Sequence, residues 1–93
     1  MKTITRNFYS DGGHGWLKVK FSELLKLNIQ DKISAYSYMR NGDVFLEEDG
    51  DLTTYCSALK EINTEIKFIE HQSNKSSKIR NYDRYENTTI VLS

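Results

Sequence analysis

The chain has 93 residues, with 13 basic against 13 acidic side chains, 38% apolar content, no proline and one cysteine, Cys56. A chain this short buries about 60–65% of its unfolded surface, so one small domain over 1–93 is expected and a deep cleft between two lobes is not. No apolar run approaches the ~18 residues of a membrane span and no apolar stretch follows Met1, so the reading is a soluble, cytoplasmic protein without a disulfide framework or a Cys-based zinc site.

Residues 1–9 are β-branched and partly alternating, which predicts a strand near a sheet edge. Ser10-Asp11-Gly12-Gly13-His14-Gly15 then breaks the chain with three of its five glycines. Trp16 to Lys20 reads as a second strand, with Trp16, Lys18 and Lys20 on one face and Leu17 and Val19 on the other. Ser22 is a candidate N-cap for a short helix that Asn28 can end.

Asn41-Gly42 between two strand-like runs is the clearest local signal, a two-residue type I′ hairpin within Ile33–Glu48. It pairs Arg40 with Asp43, Met39 with Val44, Tyr38 with Phe45, Ser37 with Leu46 and Tyr36 with Glu47. Ala35, Ser37, Met39, Val44 and Leu46 then share one face, and Tyr36, Tyr38, Phe45 and Glu47 the other. Leu52, Tyr55, Cys56, Leu59 and Ile62 recur at helical period, with Asp49 or Asp51 as the N-cap. Residues 65–70 read as a strand, 71–78 as a mobile polar loop, 78–86 as one or two helical turns, and 88–92 as a closing strand. The order predicts an α+β fold, a mainly antiparallel sheet of four to six strands with two helices on one face.

Charge is unevenly spread. Residues 1–42 carry seven basic and three acidic side chains, 43–51 carry five acids, and 52–93 carry six bases and five acids. The neutral total argues against bulk nucleic-acid binding and is compatible with selective contact.

Four features are candidates for chemistry. In the glycine loop, Asp11 is placed to orient the ring of His14, the geometry of a general base, although a tight turn with His14 packed on Trp16 or Tyr9 is the preferred reading. Tyr36, Tyr38 and Phe45, with Arg40 at the hairpin end, make an aromatic face suited to partner contact unless the 78–85 segment or a second copy covers it. The acidic run Glu47–Asp51 lacks calcium-loop spacing and reads as a solvated turn at a helix N-terminus. Lys75, Lys78, Arg80 and Arg84 alternate with Tyr82 and Tyr85, a pattern that tracks phosphates in some proteins and is diluted here by Asp83 and Glu86. Cys56 belongs to the helix stripe and reads as core. No cofactor and no metal are expected.

The stretch Tyr9-Ser10-Asp11-Gly12-Gly13-His14-Gly15-Trp16-Leu17-Lys18-Val19, followed by Asp31 to Tyr38 and by Leu46-Glu47-Glu48-Asp49, resembles a family of small phage- and plasmid-borne proteins, mostly of undefined biochemical function. The resemblance spans roughly the first two thirds of the chain and carries over to Asp11, Gly13, His14, Gly15, Trp16, Tyr36, Tyr38 and Glu47. Gly12 stands where those proteins more often have proline, which implies a looser loop. A mobile-element setting implies a protein that antagonises or redirects a host system, defence included, by binding. The leading expectation is therefore a non-catalytic protein–protein contact, with self-association into a small homo-oligomer, through Asp11, His14, Trp16, Tyr36, Tyr38, Arg40 and Phe45. The alternatives are a small-ligand or nucleotide-binding module lined by His14, Trp16 and Arg40, and a small enzyme with His14 as base.

Overall fold

A computed structural model describes residues 1–87. Strands β1 (Lys2–Ser10) and β2 (Gly15–Lys20) precede α1 (Phe21–Lys26), then β3 (Tyr38–Arg40), β4 (Asp43–Glu47), α2 (Asp51–Glu61), β5 (Thr64–Gln72), a 3₁₀ turn (Lys78–Asn81) and β6 (Asp83–Arg84). The strands form one mixed sheet in the order β5-β1-β2-β4-β3-β6, with β5 parallel to β1 and every other pairing antiparallel. This is the expected α+β fold. The strand expected at 88–92 lies outside the described residues.

The Asn41-Gly42 turn sets its hairpin as the sequence predicts. Both residues take positive φ, 52° and 85°, and Arg40–Asp43, Met39–Val44 and Tyr38–Phe45 stand opposite one another. The two outer pairs do not form, because the chain turns inward at Ser37. Its hydroxyl accepts from the Glu47 N–H at 3.0 Å and donates to the buried Asp51 carboxylate, replacing the next rung of the ladder.

Other boundaries shift for local reasons. The Phe21 N–H donates to Gly42 O, so β2 runs directly into α1 and the N-cap is Lys20 rather than Ser22. Asn28 ends the helix in the left-handed conformation (φ 58°), as expected. The N-cap of α2 is Gly50, and its first amides are held by Glu47 of the preceding strand, whose carboxylate accepts from the N–H groups of Asp49, Gly50 and Asp51 at 2.7–2.8 Å. Within the stripe, Tyr55 and Leu59 are buried, Leu52 and Cys56 are half-buried, and Ile62 is exposed. β1 sits one strand in from the edge, because β5 continues to Gln72 alongside it. His71 and Gln72 therefore belong to β5 and not to the polar loop.

Alternation along the strands divides the apolar residues into two layers. Leu17, Val19, Val44 and Leu46, all at most 1% exposed, meet α1 and α2 through Leu24, Tyr55 and Leu59. Trp16, Phe45 and Ile79 make a second, smaller cluster on the opposite face, with Tyr9, Tyr38 and Tyr82 packed around it. On the helix side, Glu23 joins the layers of the main core: Arg6 donates to both its oxygens at 2.9 Å and the Tyr55 hydroxyl donates at 2.7 Å. Burial opposes ionisation of Glu23, but the hydrogen bonds from Arg6 and Tyr55 outweigh it and hold its carboxyl below the ordinary value. No helix among the described residues is long and apolar enough to cross a membrane.

Candidate functional site

At the end of the sheet where β1 turns into β2, the glycine loop is built around Asp11. The backbone N–H groups of Gly13 and His14 donate to Asp11 Oδ1 at 3.0 Å, and the Asp11 N–H donates to His14 O. From the far end of the chain, Arg80 closes a two-point ion pair, Nε to Oδ2 at 2.8 Å and Nη2 to Oδ1 at 2.9 Å, and the Ser77 N–H donates to Oδ2. Arg80 first, then these amides, hold the Asp11 carboxyl far below the usual carboxylate range. The side chain that the sequence placed beside the His14 ring is instead the clamp that docks the tail. The His14 ring meets Gly13 O through Nδ1 and tilts against Trp16, with centroids 6.2 Å apart.

Gly15 closes the loop by permitting contact. A Cβ there would run into the Phe8 ring and approach the Glu48 carboxylate, so the chain can enter β2 only without a side chain. Despite Gly12, the loop is tied down at both ends by Asp11. The polar stretch after Gln72 is tied as well: the Ser73 N–H donates to Ser10 O, and the Ser77 hydroxyl caps the 3₁₀ turn by accepting from Ile79 N–H.

The 3₁₀ turn and Tyr82 cover the aromatic face. Tyr82 lies 5.2 Å from the Phe45 ring, and Trp16 meets Tyr38 edge-on at 6.3 Å. Trp16 and Phe45 are consequently buried at 2% and 7% exposure. What stays open beside them is a groove of about 730 Å³. It is lined by basic and aromatic residues, His14, Trp16, Tyr36, Tyr38, Arg80 and Arg84, and by the acids Glu47, Asp49 and Asp51.

The seven predicted residues thus separate. His14, Trp16, Tyr36 and Tyr38 converge on the groove; Asp11 stands behind Arg80; Phe45 lies in the small core; Arg40 sits over the Tyr82 ring and lines a neighbouring cleft. Tyr36 is 74% exposed, on the loop that Ser37 draws inward. Arg80 and Arg84 join the rim although they are remote in sequence. The alternation of basic and aromatic residues after 74 was their only local trace, and nothing in it indicated Asp11 as the partner.

The acids of the groove are mostly committed to the fold. Asp51 accepts from Ser34 N–H, Ser34 Oγ–H and Ser37 Oγ–H, and Glu47 is occupied by the amides of the turn. The described residues contain no cluster of three metal-ligating side chains. No family model, curated protein or solved structure matches the chain.

Proposed function

We propose that the chain is a small non-catalytic binding protein that takes a segment of another protein into this groove. The carrying observation is the contrast within the rim: Tyr36 is 74% exposed, while its neighbours Trp16, Tyr38, Arg80 and Arg84 are fixed by ring stacking and hydrogen bonds. A large amphipathic ring beside a preorganised wall is the composition of an interface hot spot, where little conformational entropy is lost on binding. The resemblance of the glycine loop to phage- and plasmid-borne proteins supports a host protein as the partner, bound so as to antagonise or redirect its system.

The alternative readings have less support. A nucleotide pocket lined by His14, Trp16 and Arg40 would need Trp16 accessible and Arg40 in the groove. Catalysis by His14 would draw on Asp11 as the group orienting its ring, but Asp11 is engaged by Arg80 and the ring meets Gly13 O instead. Self-association through the aromatic face has lost its main argument, since Tyr82 covers Phe45.

A photo-crosslinking residue at position 36, compared with one at exposed position 60 on α2, tests the reading in host lysate. A defined adduct from position 36 that is missing from position 60 is expected. The same adducts from both positions, or none, contradict a groove-directed contact.

A further inference from the structure

Three arginines lie on the outer face of the sheet, each with its guanidinium over a ring: Arg40 over Tyr82 at 5.0 Å, Arg80 over Trp16 at 5.3 Å and Arg84 over Tyr38 at 5.4 Å. Among the described residues, Arg80 alone of the three pairs with a carboxylate, that of Asp11. Arg40 stands opposite Asp43 in the β3–β4 ladder, yet Asp43 pairs with Lys18 at 3.7 Å and Lys20 at 3.1 Å. Arg84 donates through Nη1 to Ala35 O, a neutral acceptor. Asp83 occupies the register position of Met39 and, like Met39, lines the cleft that holds Arg40 and Arg84, without an ion pair to either. Glu86 shares that cleft, of about 530 Å³, with Arg40 and Arg84 and makes an ion pair with neither. Arg84 lines both this cleft and the groove.

Two cations held in place by ring faces and not paired with a carboxylate among the described residues are prepared for an external anion. A guanidinium stacked on a ring keeps N–H groups at its edge for a planar acceptor, and its rotamer freedom is already lost. The acids in the same groove decide what kind of anion fits. The carboxylates of Glu47, Asp49 and Asp51 along the groove would repel the continuous phosphates of a nucleic-acid strand, whereas a peptide can present carboxylates to the arginines and other side chains to the acids. We propose that Arg40 and Arg84 bind a carboxylate-rich segment of a partner protein that also meets Tyr36 in the groove, the acidic side chains closing on the two guanidiniums left without an ion pair among the described residues. This rests on the groove reading above and names the chemistry of its partner.

Fluorescence anisotropy with the full chain tests it, using four labelled probes: a short peptide alternating glutamate and tyrosine, its glutamine counterpart, a lysine counterpart, and oligo-dT. The glutamate peptide is expected to bind and to weaken with added salt. Arg84→Gln is expected to lower its affinity about tenfold and Arg40→Gln about fivefold, with Arg84→Lys intermediate because it keeps charge but not the fork. Thermal melts of the same variants, unchanged, show that folding is not what was lost. Equal binding of the glutamine peptide, indifference to both arginine substitutions, or no binding of any peptide overturns the proposal; tighter binding of oligo-dT through the same arginines replaces it with a phosphate-binding surface. A Tyr36 crosslink that survives Arg40→Gln and Arg84→Gln would leave the groove reading standing and remove this one. Arginine-dependent peptide binding without a Tyr36 crosslink would do the reverse.

Discussion

Leu17 and Trp16 are consecutive residues of β2 that enter opposite sides of the same sheet. Leu17 goes into an apolar layer roofed by two helices, where its burial is complete. Trp16 goes into a thin layer roofed by a single 3₁₀ turn, where rings and guanidiniums alternate and the covering segment is attached through Asp11. The helix side carries stability by burial. The outer side is held by directional contacts that leave a groove open, and directional contacts can be broken one at a time without loss of the fold.

That contrast sets the order of expected effects. Leu17→Ala empties part of the helix-side core and should destabilise the protein by about 2–5 kcal/mol in urea unfolding. Tyr55→Phe removes one of the donors that keep Glu23 ionised and should cost about 1–2 kcal/mol by the same measurement. Tyr82→Ala, on the outer side, should cost about 1–2 kcal/mol and should alter the near-ultraviolet circular dichroism of the aromatic layer while leaving helix content intact.

Asp11→Asn should act more locally still. It weakens the Arg80 pair, so the amides of Ser77 and Ile79 should exchange faster while those of β2 and β4 remain protected. Acid separates Asp11 in the same way. Its carboxyl titrates below its unfolded value in the native state, so its contribution is complete above the ordinary carboxylate range near about 4 and is lost as pH falls toward the lower native value. Stability of the native protein should therefore decline as pH drops below about 4, and less steeply in Asp11→Asn; Glu23, shifted in the same direction, supplies the remaining slope. Smallest of all, Tyr36→Ala should leave stability within about 0.5 kcal/mol, since the ring is exposed, and should remove partner binding.

Much of the frame was legible because its signals are local. Asn41-Gly42 gave the hairpin and three of its pairs, alternation gave the two faces of β2, and the helical period gave α2. What escaped depends on residues far apart. The parallel pairing of β5 with β1 has no turn to announce it, and it is this pairing that extends β5 through His71. The shortening of β3 follows from Asp51 drawing Ser34 and Ser37 inward, a buried carboxylate that looked like part of a solvated acidic run. The site was legible in part: His14, Trp16, Tyr36 and Tyr38 do converge. Its basic wall was not, because the Asp11–Arg80 pair joins positions 69 residues apart, and only the fold brings them together.

The most direct measurement sets binding against stability in one variant. With Arg84→Gln, affinity for the glutamate–tyrosine peptide should fall about tenfold while the urea midpoint stays that of the native chain. Unchanged affinity, or a loss of affinity that only follows a loss of stability, would contradict an outer face built for contact and a helix side built for stability.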